Sequence, residues 1–479
     1  MNSGRKGRIV LLSVFITLVV GGCATNPVTG KQNFVLMSED QEIDLGKQYH
    51  GQVMKQYNEY HDPELTAQVN KLGGELAANS HRGDLNFHFT VLDSPEVNAF
   101  ALPGGYIYIT RGIVAYMNSE EELAGVLGHE IGHVTARHSV RQHAASTTAG
   151  LLGAVATIAT GSQGVGQLSG QLGGALVSGY GRGHELEADR LGAEYLARTG
   201  YDPDMMLEVV GILKDQEEFE IQRAKEEGRQ PRIYHGVFAS HPRNDQRLQE
   251  VVKAAGKYSN PQAKRTDPDT FITMLEGVTF GDSEEQGIVR GNRFYHLPLD
   301  FRIEFPSGWR IENTQDQLLA VKPDDSAVFL VKLDSRAGRE SAGAYLRRNF
   351  DNLRQGKVLD ADSYAGLIQG KNPFGTGTIR VAARLHDANV FVVYGAARGS
   401  IPEDAFFDTV RSIRRLDSSE RALAVEKRIK VIRARAGDTF ASLARRSDLG
   451  AYAEAQLRLM NGMYPDGQPR TGQLIKIVQ

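Results

Sequence analysis

The sequence predicts an α+β protein: a mainly helical domain with a small β-sheet, then a second α+β domain, then a small strand-helix-helix-strand module. Three observations predict it. Helical periodicity dominates the first half, as in Leu65, Val69, Leu72 and Leu76. Short alternating runs lie between the helices; Phe87, Phe89 and Val91 fall on one side of 86–92, so that run reads as a strand. After about residue 290 alternation takes over, at 327–333, 377–385 and 390–397, with helical stretches at 342–353 and 402–413.

With 479 residues the chain has room for about two to four domains and a sizeable core. Hydrophobic content of 41% and charged content of 24% are those of a globular protein. A formal net charge of −3 lacks the basic excess of a nucleic-acid binder, so no nucleic-acid partner is expected.

Residues 1–22 read as a secretory signal. Arg5, Lys6 and Arg8 form its positive start, and the apolar run 9–20 is shorter than the roughly 20 residues of a membrane span. The run ends in Val20-Gly21-Gly22-Cys23, which resembles the lipobox of bacterial lipoproteins. The resemblance implies that Cys23 becomes the lipidated first residue and anchors the chain to a membrane. Cys23 is the single cysteine, so no disulfide competes for it. Ala24 and Thr25 follow it, not the aspartate of an inner-membrane retention signal, which favours the periplasmic side of the outer membrane. The bland alternative is an uncleaved anchor with an incidental cysteine.

Residues 23–37 are expected as a tether and 38–258 as the first domain. Ser38 with Gln41 is a capping-box pattern, opening a helix to about residue 60. Asp62-Pro63 restarts a helix with a cap and a proline at its first position. Two extended runs, 99–102 and 106–110, flank a turn at Pro103-Gly104-Gly105. Ser119 with Glu122 opens the central helix, SEEELAGVLGHEIGHVTARH, whose Leu123, Val126, Leu127, Ile131 and Val134 form an apolar flank. Between Ala149 and Gly183 there are 11 glycines; this stretch reads as a loosely packed helical hairpin, or as a mobile or lipid-touching lid. A helix over 184–199 stops at Gly200, Asp202-Pro203 opens another, and His241-Pro242 a last one.

A linker is expected at 259–290, the second domain at 291–416, a second linker at 417–428 and the module at 429–479. The second domain resembles PsbP/Mog-like α+β modules through Phe305-Pro306-Ser307-Gly308-Trp309, and it offers no cluster of metal ligands. It is expected to bind or scaffold. In the module, Gly437-Asp438-Thr439, Asn461 and Gly472-Gln473 occur in the order of a LysM module. That resemblance implies binding to N-acetylglucosamine polymers such as peptidoglycan; the alternative is a LysM-shaped closing module that binds no glycan.

The chemistry sits in His129-Glu130-Ile131-Gly132-His133, an HExxH pattern. On a helix the two histidines share a face and can reach one zinc ion, with Glu130 beside them as general base. A catalytic zinc needs a third protein ligand and an open position. His184-Glu185-Leu186-Glu187-Ala188-Asp189 offers it. Glu185 and Asp189 share a helix face, so Glu185 as ligand leaves Asp189 to orient a ligating imidazole. Glu187 and His184 are the alternatives.

HEIGH followed by ELEAD resembles the gluzincin peptidases of the Ste-type CAAX protease, HtpX and BepA group, whose pattern is HExxH then ExxxD. Glu185 and Asp189 match ExxxD. Residues 98–105, NAFALPGG, resemble that group's strand and turn beside the active site, and Ser240-His241-Pro242 with Arg247-Leu248 resembles its HPxxxxRL segment. The resemblance covers about residues 26–255. BepA-like members carry tetratricopeptide repeats after this point and this chain does not. The expected activity is a zinc-dependent metalloendopeptidase with one zinc per chain, acting on misfolded or misassembled envelope proteins. His241 is either an oxyanion donor, a displaceable fourth ligand or a structural residue. Asn98 and Ala99 either position substrate backbone or serve a turn. The rival reading is a chaperone or peptidoglycan-anchored scaffold with a latent site.

Overall fold

The computed structural model describes residues 23–25, 27–28, 30, 32–34, 37–142, 180–229, 231, 253, 256–258, 263–264, 266–314, 317–399 and 402–479. The expected signal, most of the glycine-rich stretch and His241 lie outside them. The protein is a mixed α/β chain that forms two compact units: one holds 1–54, 59–278 and 428–479, the other 55–58 and 279–427.

In the first unit, part of the expected tether is a ribbon: β1 (Cys23–Thr25) pairs antiparallel with β2 (Gln32–Phe34). Helix α1 (Glu39–Val53) starts at the Ser38–Gln41 capping box but stops well short of residue 60. Helix α2 (Pro63–Ala78) is capped by Asp62, whose side chain accepts from Leu65 N–H. A three-stranded sheet follows, built from β3 (His88–Leu92), β4 (Ala99–Leu102) and β5 (Tyr106–Thr110) in the order β3-β5-β4. β3 runs parallel to β5, and β4 antiparallel to it, which leaves β4 at an edge. Gly104 and Gly105 turn between β4 and β5 with φ of 74° and 91°, values that favour glycine.

A short helix α3 (Arg111–Val114) leads to α4 (Glu120–Thr135), the HExxH helix. One expectation about α4 needs correction. The Ser119 side chain does accept from Glu122 N–H, but the Glu122 carboxylate reaches past Ser119 to Asn118 N–H, so the box is only half closed. The helix also has no solvent face: every residue except Glu120 and Glu122 is buried. An apolar flank was the visible part of a helix enclosed on all sides, as expected of one at the centre of a core. Helices α5 (Arg182–Arg198) and α6 (Met205–Glu226) pack around it.

The stretches expected as linkers carry ordered elements. Pro268–Met274 is a helix capped by Asp267, and Ser418–Leu423 is a helix with a complete Asp417–Glu420 capping box. The C-terminal residues show strand, helix, helix, strand: Lys427–Arg433, Phe440–Ala444, Ala453–Met460 and Leu474–Val478. The two strands pair antiparallel, with Ile429 opposite Val478. They are part of the first unit. Lys476, fully buried, donates to the carbonyls of Ala115 at 2.9 Å and Met117 at 2.5 Å, just ahead of α4. Gln456 bonds the Tyr116 hydroxyl, and Tyr452 meets Phe219 edge to face.

The second unit is organised by a seven-stranded antiparallel sheet and a three-stranded meander, Ile288–Arg290, Arg293–His296 and Phe301–Glu304. Helix Glu403–Ser412 buries Phe406, Phe407 and Val410 against Phe301, Phe305, Phe329 and Phe391. The Trp309 ring packs on Phe329 at 4.6 Å. Among the described residues no helix is long and apolar enough to cross a membrane.

Candidate metal centre

Helices α4 and α5 approach closely because small residues face each other. A Cβ on Gly132 would lie 2.9 Å from the Ala188 carbonyl oxygen, and one on Gly128 would lie 3.4 Å from Gly192 Cα. Each of these α4 glycines directly precedes a histidine, so the backbone contact that joins the helices also sets the histidines against α5.

The imidazoles then converge. His129 Nε2 and His133 Nε2 are 2.9 Å apart. The Glu185 carboxylate faces both, with Oε2 at 3.6 Å from His129 Nε2 and Oε1 at 3.5 Å from His133 Nε2. Glu185 and His133 have side chains with no solvent exposure, and Glu130, also buried, lies between the histidines in sequence. Donors on a tetrahedral zinc with bonds near 2.0–2.1 Å sit roughly 3.3 Å apart. The two contacts to Glu185 match that spacing and the imidazole pair is a little tighter. Two histidines and a glutamate are a known catalytic zinc ligand set, so the residues fit the ion. Among the described residues this is the only such group of His, Cys, Asp and Glu.

Each histidine is held from behind. His129 Nδ1 lies 2.9 Å from Asp189 Oδ1. Burial opposes a charge on His129, but the hydrogen bonds to Asp189 and Glu185 outweigh it and raise its pKa above the ordinary value. His133 Nδ1 lies 2.9 Å from His138 Nδ1, and His138 Nε2 lies 3.1 Å from Glu187 Oε2. Arg141 Nη1 reaches the same oxygen at 2.8 Å. Burial pushes His138 down. For Glu187, burial works upward, but the bonds from His138 and Arg141 prevail and bring its carboxyl to about 2. The Tyr180 ring stacks on His133 at 4.0 Å, and its hydroxyl meets Ser139 Oγ at 2.6 Å and the Ala101 carbonyl at 3.4 Å.

The three acids and one histidine of His184–Asp189 therefore divide. Glu185 joins the histidine pair and Asp189 stands behind His129. Glu187 and His184, the alternatives, are elsewhere: Glu187 bonds His138, and His184 stacks on the His138 ring at 4.3 Å. Asn98 and Ala99 stand at the start of the edge strand, where Asn98 N–H and C=O both bond Thr110 Oγ1 and Ala99 pairs with Ile109. Sequence reasoning missed His138 and Tyr180. His138 lies five residues after His133, off the helical face, and returns to it because Arg137 breaks the helix with φ of 55°. No helical pattern signals that.

Residues 63–255 match the model of peptidase family M48. The chain is 34% identical over 251 residues to the beta-barrel assembly-enhancing protease of Yersinia pestis, covering 50% of this chain and 49% of that one. It is 28% identical over 374 residues to the Escherichia coli K12 protein of the same name, covering 73% of this chain and 74% of that one. It is 30% identical over 188 residues to the mitochondrial metalloendopeptidase OMA1 of Schizosaccharomyces pombe, covering 37% and 53%. The chain thus spans about half the length of the Yersinia and fission-yeast relatives and about three quarters of the Escherichia coli one. The stretch 63–255, which holds the two histidines and Glu185 in one buried cluster, is thus similar to the peptidases of family M48.

Proposed function

We propose that this chain is a zinc metalloendopeptidase of the bacterial envelope that cuts misfolded or misassembled envelope proteins, one zinc per chain. The observation that carries the reading is the convergence of His129 Nε2, His133 Nε2 and the Glu185 carboxylate. Zinc bound there would polarise the scissile carbonyl and acidify the attacking water. Glu130 would take the proton from that water and hand it to the leaving amine. Asp189 fixes the His129 ring and its tautomer. His241, outside the described residues, would be an added donor to the oxyanion, a displaceable fourth ligand or a structural residue.

The edge strand β4 supports a substrate mode. An extended peptide added beside Asn98 and Ala99 would be read through its backbone, which selects unfolded segments over folded ones. Relatives named for enhancing β-barrel assembly agree with such substrates. The lipobox pattern at Cys23 supports a lipid anchor on the periplasmic side of the outer membrane, and the strand-helix-helix-strand order of 427–478 supports a LysM-like module able to meet peptidoglycan.

Zinc content and casein cleavage of the wild type beside Glu130→Gln test the reading. One zinc per chain, with cleavage lost in the variant, is the expected result. Protein purified without chelator that holds no zinc, or casein cleavage retained in Glu130→Gln, would overturn it. Palmitate labelling of wild type and Cys23→Ser tests the anchor. Sedimentation with purified peptidoglycan, with and without 429–479, tests the module.

A further inference from the structure

The two metal-facing histidines are oriented by different arms, and only the Asp189 arm belongs to the ExxxD pattern. We propose that His138 is a positioning residue that holds His133 ready for the metal, with Glu187 fixing the tautomer of His138. The proposal rests on the zinc reading above.

Proton placement carries the argument. For His133 to offer Nε2 to a metal, its own proton must sit on Nδ1. That atom is 2.9 Å from His138 Nδ1, which must therefore accept. His138 then carries its proton on Nε2, and that nitrogen faces Glu187 Oε2 at 3.1 Å. One assignment satisfies every atom of the line, with each N–H aimed at an acceptor. The reversed assignment puts the His133 proton on Nε2, where it faces His129 and Glu185 and excludes the metal.

Packing fixes the rings as well as the protons. Tyr180 stacks on His133 at 19° between planes, and His184 stacks on His138 at 17°. Neither ring can swing out of the line without losing a stacked neighbour. His138, His184 and Glu187 are no second cation site, because Arg141 already occupies Glu187 Oε2 at 2.8 Å and a fixed guanidinium there repels a metal ion. The group is an orienting arm. It differs from the Asp189 arm in charge: His129 has a carboxylate directly behind it, whereas His133 has a neutral ring with the carboxylate one ring further away.

The test compares full-length wild type, His138→Asn, His138→Gln and Glu187→Gln by competition for zinc against a chromophoric chelator, with the absorption spectrum of the cobalt-substituted proteins as a second readout. Asn Oδ1 can stand where His138 Nδ1 accepts, so His138→Asn should keep zinc affinity within about threefold, while His138→Gln, whose amide falls beyond that point, should lose about 10–100-fold and shift the cobalt bands. Glu187→Gln lets His138 take either tautomer and should weaken zinc in the same direction. Wild-type affinity and spectrum in His138→Gln would overturn the proposal, as would equal losses in His138→Asn and His138→Gln at wild-type melting temperatures. Should His138→Gln fail to fold, Glu187→Gln decides, and unchanged affinity there overturns the proposal. A wild type that takes up no zinc would overturn the peptidase reading instead.

Discussion

The two ends of the HExxH helix are both held by buried charge, but in opposite ways. Beyond its C-terminal end, Glu42 of α1 sits between two arginines, at 2.9 Å from Arg82 Nη1 and 2.9 Å from Arg137 Nε. The carboxylate is buried and both guanidiniums nearly so. Before its N-terminal end, Lys476 donates to two carbonyls, and the nearby Glu122 carboxylate acts on it through space. Burial pushes Arg82 down, but its pairing with Glu42 and Glu39 outweighs that and leaves it raised. Burial pushes Lys476 down, and Glu122 offsets only part of that. One end is held by paired charges, with the Arg82 proton held more firmly by its carboxylates. At the other, burial works against the charge itself and favours the lysine without its proton.

That contrast can be broken in order of size. Replacing Glu42 by Ala takes the shared carboxylate from two buried guanidiniums, leaving Arg82 with Glu39 and Arg137 with the Met37 carbonyl, and removing one partner from a buried ion pair costs about 3–5 kcal/mol. Urea unfolding should show the loss, and a loss below about 1 kcal/mol would mean the arginines find other partners. The helix middle gives a reference that involves no charge. Gly132→Ala forces a Cβ to within 2.9 Å of the Ala188 carbonyl oxygen, which must move α5 and with it Glu185. Overpacking of this kind costs about 1–3 kcal/mol, and zinc affinity should fall with it.

At the N-terminal end, Lys476→Met leaves the Ala115 and Met117 carbonyls without their donor, a loss of about 1–2 kcal/mol near neutral pH. Its sharper signature is in pH. The folded pKa of Lys476 is depressed from 10.5 to about 7, so its contribution is present above the unfolded value and is lost as pH falls through the folded one. Wild type should therefore gain stability relative to Lys476→Met as pH rises from about 7 towards 10.5. A flat difference across that window would equate the two ends. The smallest effect is expected from Ser119→Ala, which removes the cap on Glu122 N–H for about 1 kcal/mol.

Local chemistry was legible in the sequence and long-range electrostatics was not. Ser38, Asp62 and Ser119 announced their helices because a cap needs only residues within one turn. HEIGH and ELEAD announced the cluster because helical spacing fixes which side chains share a face. The choice of Glu185 over Glu187 followed from that spacing, and Glu185 is the residue that meets the histidines. Glu42, Arg82 and Arg137 meet across separations of 40 and 95 residues, and no period in the chain connects them. His138 depended on a left-handed residue at Arg137, a conformation that a non-glycine side chain gives no reason to expect. The C-terminal strands read as a separate module because their own pattern is complete; that one lysine in them is fully buried has no local mark.

Lys476 stands 359 residues after Met117, whose carbonyl it binds. A chain is made from its N-terminus, and early parts begin to fold before later ones exist. The HExxH helix thus acquires its Glu42 bracket from sequence made before it and from Arg137 just after it, and its Lys476 bracket only after the whole of the second unit has been synthesised. That order separates the moment when the HExxH helix is formed from the moment when it is secured at both ends.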